Sequence, residues 1–163
     1  MEQRQRVFDF LEAHGIGYTW YEHPEAPTCE LALQYCRNDG AQHCKNLFLR
    51  NHKGDRHYLV CFDARRQLAV RELEHRLGQG RLSFASPERL QRWLGVKPGS
   101  VSPFGLINDT AHHVHLFFDR RMRDWPVLAF HPNDNRATVV IGREAFDEYL
   151  RTVGNSCEYI DLY

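Results

Sequence analysis

Three polar side chains stand beside apolar runs of the sequence, where they could do chemistry. Lys45 opens the run KNLFLR, in which a charged side chain has no evident structural task. A cation that faces a pocket can hold a phosphate or stabilise developing negative charge, but a lysine at a strand end can equally extend into solvent. His131 and Asn133 follow the run VLAF, where they can position a ligand or cap a turn. Taken alone, each signal leaves both interpretations open.

The segment KPGSVSPFG at residues 97–105 is a second candidate for function. Two prolines and two glycines in nine residues predict a stiff irregular loop. The backbone groups of such a loop stay free to face a ligand, and binding residues are concentrated on loops that a rigid scaffold holds in place. We therefore take this loop together with Lys45 and His131 as a candidate site.

Several catalytic templates are missing from the sequence. There is no G-x-x-x-x-G-K-[ST], G-x-G-x-x-G or G-x-S-x-G motif, which disfavours nucleotide hydrolysis, dinucleotide binding and the usual hydrolase elbow. The five cysteines form no C-x-x-C pair, so free thiols are expected, and no sequence neighbour supports a catalytic cysteine.

A histidine cluster, His112, His113 and His115, offers a metal-binding alternative. On a strand, His113 and His115 would share one face and could bind a metal together with His131. The plainer interpretation is a polar strand entrance beside a turn. We expect no metal and keep a metal-dependent hydrolase as a distant alternative.

The elements that must position these residues alternate irregularly along the chain. Helices are predicted over residues 1–15, 28–35, 70–77, 86–94 and 143–151, strands over residues 18–21, 46–50, 57–62, 81–84, 114–118, 127–130 and 137–141, and a loop over residues 38–40. Strands joined as hairpins and mixed with helices predict an α+β fold, a single mixed α/β domain with a curved, mostly antiparallel sheet flanked by helices. A doubly wound sheet would need a regular alternation that this chain lacks.

Composition limits the classes of partner. The 163 residues fit one domain spanning residues 1–163. Lys and Arg total 21 and so do Asp and Glu, which gives zero net charge, so any nucleic-acid contact must use a local basic patch. The apolar runs are too short to span a bilayer, and the first fifteen residues lack the apolar centre of a signal peptide. We expect a cytoplasmic protein that has no contact with a membrane.

The motifs, taken together and in order, resemble the YbaK-like family of aminoacyl-tRNA editing domains, and are most similar to its free-standing prolyl-tRNA-synthetase-associated deacylases. The resemblance covers nearly the whole chain and is carried by EHP (22–24), KNLFLR (45–50), KG (53–54), RLSFASPERL (81–90), PGSVSPFGLIND (98–109) and HPN (131–133). It implies the fold of that family. It also implies hydrolysis of the ester between a wrong amino acid and the 3′ end of a tRNA, with alanine on proline tRNA as the expected substrate.

The resemblance also implies which residues form the site. Lys45, Gly99 and His131 are the expected catalytic residues, Gly99 and Pro103 being the first and last positions of a G-x-x-x-P loop. The expected substrate-binding residues are Thr28, Asn46, Ser100, Val101, Pro103 and Asn133. Cys44 stands where relatives often carry threonine, so no hydroxyl role is expected there.

The chemistry of an activated ester fits these residue types. A site can position a water and stabilise the tetrahedral oxyanion without a metal or an organic cofactor. Backbone N–H groups at residues 99–101 could form the oxyanion hole, Lys45 would hold the terminal ribose or phosphate, and the 2′-hydroxyl of the substrate could help activate the water. The expected partners are the acceptor end of tRNA(Pro) and prolyl-tRNA synthetase.

Two alternatives to this function stay open beside the distant metal-dependent one. One is a deacylase for another small amino acid, such as cysteine on tRNA(Pro), and the other is a non-catalytic module that binds tRNA or a synthetase. The interpretation requires Lys45, the loop at 99–103 and His131 to line one small cavity.

Overall fold

The computed structural model describes residues 2–35 and 40–163, so the loop predicted at residues 38–40 lies mostly outside the described residues. Within these ranges the α-helices are α1 (Glu2–Ala13), α2 (Cys29–Tyr35), α3 (Val70–Leu77), α4 (Pro87–Leu94) and α5 (Arg143–Val153). The strands are β1 (Thr19–Glu22), β2 (Gln42–Asn51), β3 (His57–Asp63), β4 (Leu82–Phe84), β5 (His115–Asp119), β6 (Val127–Phe130), β7 (Ala137–Gly142) and β8 (Cys157–Ile160). Two 3₁₀ helices span Pro103–Asn108 and Arg120–Asp124. No helix in the described ranges is both long enough and apolar enough to cross a lipid bilayer.

The strands form one mixed sheet in the order β1-β7-β6-β2-β3-β5-β8, and β4 pairs with β2 outside this path. Among the strand pairs of the described residues, four are antiparallel and three are parallel. The helices flank this sheet. The predicted α+β class is therefore confirmed, with a sheet in which parallel pairs join the antiparallel ones.

The long strand β2 has an interrupted edge. Along one edge it pairs with β3 over residues 44–50. Along the other edge it pairs with β6 at residues 42–43 and with β4 at residues 49–51. The carbonyl of Phe48 accepts a hydrogen bond from the backbone N–H of Ala85. Residues 44–47 therefore face a gap between β6 and β4, and no strand of the described residues closes it.

Each face of the sheet carries a hydrophobic core. Phe48, Leu59 and Cys61 belong to the first core, which α1, α4 and α5 cover. Leu49 and Val60 belong to the second core, which α3 covers. Because side chains alternate along a strand, Lys45 lies on the Leu49 face and Asn46 lies on the Phe48 face.

Helices with strong end signals match their predicted bounds. The Ser86 hydroxyl accepts a hydrogen bond from the backbone N–H of Arg89 and caps α4, which ends at the left-handed Gly95. Helix α3 likewise ends at Gly78. Thr28 caps α2 as predicted, because its hydroxyl accepts from the backbone N–H of Leu31 at 3.2 Å.

Four elements differ from the prediction. Strand β2 begins at Gln42, before its predicted start at residue 46, so Lys45 lies inside the strand and not at its end. The 3₁₀ helix Arg120–Asp124 was not predicted. The last residues of the loop predicted over residues 97–105 belong to the 3₁₀ helix Pro103–Asn108. The Ser102 hydroxyl caps this helix by accepting a hydrogen bond from the Phe104 N–H. Strand β8 was not predicted. Its residues are exposed or only half-buried and show no alternation, and its pairing with β5 is parallel and distant in sequence.

Candidate active site

A cavity of about 320 Å³ opens at the gap in the edge of β2. Its walls come from α2 and the segment before it, from β2, from the loop at residues 97–102 and from the ends of β6 and β7. The lining residues are Ala26, Pro27, Thr28, Glu30, Ala32, Leu33, His43, Cys44, Lys45, Asn46, Leu47, Ala64, Gly99, Val101, Ala129, Phe130, His131 and Thr138. Segments far apart in sequence therefore meet in one hollow.

The cavity brings together the three residues predicted to be catalytic. Lys45, Gly99 and His131 all line it. Of the residues predicted to bind substrate, Thr28, Asn46 and Val101 line it as well. The spatial requirement set by the sequence is met, and the roles of these residues remain predictions.

Lys45 supplies the positive charge of the cavity wall. It is half-buried on β2 opposite Phe62 of β3. No carboxylate of the described residues lies within 4 Å of its ammonium group. A cation at the cavity wall that no described carboxylate neutralises is suited to bind an anion.

Asn46 contributes an acceptor to the same wall. Its side-chain Oδ1 is buried and receives no hydrogen bond from the described residues. A buried amide oxygen without a donor is costly to maintain, and its usual explanation is a water or a ligand. Asn46 is therefore ready to accept a hydrogen bond from a bound molecule.

His131 is held in a defined orientation at the end of β6. Its Nδ1 lies 2.9 Å from the carbonyl oxygen of Ala137 and donates to it, so Nε2 of the neutral ring is the acceptor. Burial lowers the pKa of His131, and the nearby His23 and His43 lower it further, against the Ala137 hydrogen bond, which raises it. The ring is therefore neutral at pH 7 and can accept a proton or a hydrogen bond at Nε2.

No role was predicted for His23, His43 or Thr138. His43 and Thr138 line the cavity, and the ring of His23 lies 5.8 Å from that of His131. His23 donates from Nδ1 to the carbonyl of Pro24 at 2.8 Å, and its Nε2 accepts from the Thr138 hydroxyl at 2.9 Å. The motif EHP pointed to His23 only as a family signature. No sequence pattern pointed to Thr138, because it comes close to His23 only through the pairing of β1 with β7.

Gly99 places the loop against the segment before α2. Its φ of +87° is in the left-handed region, and an added Cβ would lie 3.1 Å from the carbonyl oxygen of Pro27 and 3.2 Å from its Cα. Only glycine combines this conformation with so close an approach. Farther along, the Tyr149 hydroxyl donates to the carbonyl of Pro103 at 2.7 Å. The loop is thus fixed at both ends.

Three residues predicted to bind substrate do not line this cavity. Ser100 and Asn133 line a second cavity, of about 260 Å³, on the other side of the loop. Pro103 is buried and begins the 3₁₀ helix. Asn133 has a φ of +59°, and its amide donates to the carbonyl of Phe104 at 3.3 Å. The turn after His131 and the start of the 3₁₀ helix carry these three residues behind the loop and outside the cavity, and their role in substrate binding stays a prediction.

Cys44 lines the cavity as a neutral thiol. Burial raises the pKa of the Cys44 thiol well above its usual range, and Cys61 and Asp63 raise it further. A thiol that does not ionise at neutral pH is a poor nucleophile. Cys44 therefore forms part of the wall and leaves the chemistry to other groups.

The histidine cluster that suggested a metal is divided in the structure. His113 stacks on Trp93 at 3.7 Å between ring centroids and shares a hydrogen bond with His57. His115 instead lies within 2.7 Å of Glu158. Among residues 2–35 and 40–163, no three His, Cys, Asp or Glu side chains are grouped to hold a metal ion.

Comparison with known proteins agrees with this geometry. Residues 23–149 match the family model described as "Aminoacyl-tRNA editing domain". The chain is 38% identical over 162 residues to "Prolyl-tRNA editing protein ProX" of Acetoanaerobium sticklandii, with 99% of both chains covered. It is 34% identical over 143 residues to "Prolyl-tRNA synthetase associated domain-containing protein 1" of Danio rerio, with 86% of this chain and 77% of that one covered.

A solved structure shows the same fold. It carries the words "trans-editing enzyme for prolyl tRNA synthetase" in its name and superimposes with a TM-score of 0.71 at 23% identity, covering 99% of this chain and 98% of its own. The family match spans most of the chain, including Lys45, the loop at residues 97–102 and His131. The chain therefore belongs to the family of aminoacyl-tRNA editing domains.

Proposed function

We propose that this protein is a trans-editing deacylase that hydrolyses the ester between a small amino acid and the 3′ end of a tRNA, with alanyl-tRNA(Pro) as the substrate. The observation that carries the proposal is the convergence of Lys45, the Gly99 loop and His131 on one cavity. The names of the relatives, which refer to prolyl-tRNA editing and to prolyl-tRNA synthetase, support the choice of tRNA(Pro). They also support prolyl-tRNA synthetase as a partner.

The cavity offers a group for each part of the substrate. The ammonium of Lys45 binds the terminal ribose or phosphate of the tRNA, since no described carboxylate lies within 4 Å of it. The buried Oδ1 of Asn46 accepts a hydrogen bond from the α-ammonium of the amino acid. These two contacts hold the ester between β2 and the loop opposite.

Hydrolysis then needs a positioned water and a stabilised oxyanion. Nε2 of the neutral His131 accepts a hydrogen bond from the attacking water, while Nδ1 stays bonded to Ala137. The 2′-hydroxyl of the substrate assists in activating that water. Of the backbone N–H groups at residues 99–101, that of Ser100 already donates to the carbonyl of Lys97 at 3.1 Å. The N–H groups of Gly99 and Val101, which line the cavity, therefore stabilise the carbonyl oxygen as it becomes an oxyanion. The acyl carbon gains the water oxygen, and the ribose oxygen leaves with a proton.

Amino-acid size decides which ester is cleaved. A synthetase pocket cannot strongly reject a smaller amino acid, because one methylene is worth only about 1–3 kcal/mol. A separate editing pocket that admits alanine and excludes the proline ring removes the alanine wrongly attached to tRNA(Pro). The apolar wall of Ala26, Ala32 and Leu33 on one side of the cavity sets that limit in this proposal.

The test is a panel of charged tRNAs. Alanyl-, cysteinyl- and prolyl-tRNA(Pro), together with alanyl-tRNA(Ala), are incubated with the protein, with and without EDTA, and the released amino acid is counted. We expect alanine to be released from tRNA(Pro) fastest, prolyl-tRNA(Pro) to be spared and EDTA to have no effect.

The other outcomes favour the alternatives. Faster release of cysteine would make cysteinyl-tRNA(Pro) the substrate. Binding of tRNA without release of any amino acid would identify a non-catalytic module. Loss of turnover that zinc restores would point to a metal-dependent hydrolase.

A further inference from the structure

Phe84 is unusual among the large apolar side chains of the described residues. It is 60% exposed, and only Trp20, at 41%, is also exposed. Trp20 has partners, since the ring of Phe8 lies 4.8 Å away and the Arg4 guanidinium 5.3 Å away. For Phe84, no ring or guanidinium of the described part of the chain makes such a contact. One face of an aromatic ring is thus left to solvent.

The exposed Phe84 ring lies on the same face of the sheet as residues of β2 that line the cavity. Phe84 pairs with Leu49 of β2, and the alternation of the strand places Leu49, Leu47 and Lys45 on the same face. Leu47 and Lys45 line the cavity. Leu49 lies four residue steps beyond Lys45, which is about 13 Å at about 3.3 Å per step. Phe84 therefore continues the wall of the cavity outward.

Strand β4 ends where the gap in the edge of β2 begins. The backbone N–H of Ala85 donates to the carbonyl of Phe48 at 2.9 Å, which fixes the chain directly after Phe84 against β2. The ring consequently stands on a rigid element at one side of the opening. Arg81 precedes β4 directly and Arg50 pairs with Ser83, and the alternation of the strands places both on the face opposite Phe84. On the face of Phe84, Lys45 is therefore the cation of β2.

A single-stranded nucleic acid fits this arrangement. Every nucleobase has a flat aromatic face that stacks on aromatic side chains, and Lys45 supplies a cation for the backbone at the cavity end. The 3′ end of a tRNA is single-stranded next to the aminoacylated nucleotide. A strand whose terminal ribose lies at Lys45 and that follows this face of β2 would reach the Phe84 ring within its next one or two nucleotides.

We propose that Phe84 is a stacking platform for a nucleobase in the single-stranded 3′ end of the substrate tRNA. This inference rests on the proposed function and adds a substrate contact outside the cavity. Phe84 contributes to binding of the nucleic acid and takes no part in the chemical step.

Fluorescent bases test the stacking directly. RNA minihelices that mimic the acceptor stem carry 2-aminopurine at the terminal position or pyrrolocytosine at either preceding position. With the wild-type protein we expect fluorescence quenching at one of these positions. Phe84→Ala should abolish that quenching, Phe84→Trp should keep it, and Trp20→Ala, the matched truncation of the other exposed aromatic residue, should leave it unchanged.

Kinetics give an independent readout. Phe84→Ala should raise KM for aminoacyl-tRNA about 10-fold or more, because stacking on one base is worth roughly 5- to 150-fold in affinity, while kcat changes less than twofold. Hydrolysis of alanine ethyl ester, which has no base, should be unaffected. Since Phe84 is exposed, we expect the thermal midpoint of the variant to match that of the wild type.

The outcomes separate this inference from the proposed function. Quenching that persists in Phe84→Ala, or an unchanged KM, overturns the stacking role while hydrolysis by the wild type still supports the deacylase. Quenching by a wild-type protein that releases no amino acid overturns the deacylase and keeps the stacking. A wild-type protein that does not bind the minihelix overturns both.

Discussion

Lys45 and Asn46 are adjacent in β2 and point to opposite faces of the sheet, yet both line the cavity. This is possible because the cavity lies at the edge of the strand, where no strand of the described residues covers residues 44–47. A charge from one face and an amide from the other thus reach the same cavity. His131 faces them from the end of β6 with its acceptor nitrogen fixed by the hydrogen bond to Ala137.

The charge of Lys45 is the first feature to test at the residue scale. Lys45→Ala should lower kcat/KM for alanyl-tRNA(Pro) by about 100- to 1000-fold, the range found when one preorganised stabilising group is removed from an active site. Release of labelled alanine measures the effect. Lys53→Ala removes an exposed lysine from the turn between β2 and β3 and serves as the matched control.

Folding should be the same in both lysine variants, because Lys45 makes no ion pair with a described residue. Circular dichroism and the thermal midpoint check this. Full activity of Lys45→Ala would remove the ammonium from the mechanism.

At the scale of elements, the loop at residues 97–102 is held against the segment before α2. Gly99 meets the backbone of Pro27 on one side, and Tyr149 holds the carbonyl of Pro103 farther along. The oxyanion hole proposed at Gly99 and Val101 depends on this fit. A small displacement of the loop should therefore reduce the rate without unfolding the protein.

Gly99→Ala should reduce kcat at least 10-fold, because its Cβ would press on Pro27 and shift the loop. The left-handed conformation itself costs an alanine about 1–2 kcal/mol. Gly15→Ala is the matched control, since Gly15 has a φ of +68° and nothing within 4 Å of an added Cβ. Single-turnover kinetics and urea unfolding measure the two effects.

Both glycine variants should lose free energy of unfolding through the left-handed conformation, Gly99→Ala somewhat more because its Cβ also presses on Pro27, and only Gly99→Ala should lose activity. If Gly99→Ala turns over as fast as Gly15→Ala, the loop is not the oxyanion site.

At the scale of the whole molecule, the stability should depend on pH through a buried histidine. Burial lowers the pKa of His57 to about 4, and His113 and the neighbouring arginines Arg89, Arg50 and Arg92 add to the shift. Arg89 donates to Nε2 of His57 at 3.0 Å, which holds that nitrogen in its neutral, accepting form. His57 is therefore neutral in the folded protein well below pH 6.5.

The sign of the effect follows from proton binding. As the pH falls below 6.5, the unfolded chain takes up a proton at His57 before the folded chain does, so the free energy of unfolding decreases until about pH 4. Urea unfolding between pH 7 and pH 4 measures this slope. We expect a shallower slope in His57→Gln, and equal slopes in the two proteins would show that His57 does not contribute.

Much of the secondary structure could be predicted because its signals are local. The Ser86 cap and Gly95 define α4, Gly78 ends α3 and Thr28 caps α2. Each signal acts within a few residues, through hydrogen bonds between a side chain or a glycine and the adjacent turn. Strand β8 carried no such signal, since its partner β5 is about forty residues away.

For the candidate site, residue types and motif order were enough to name Lys45, Gly99 and His131, and the tertiary structure decided which other residues join them. His43 and Thr138 line the cavity while Ser100 and Asn133 lie behind the loop, and no local pattern distinguishes these pairs. The gap in the edge of β2 arises because two distant strands, β4 and β6, pair with different parts of it. Helix ends depend on neighbours in sequence, whereas strand pairing depends on contacts between distant segments, which form only when the whole chain folds.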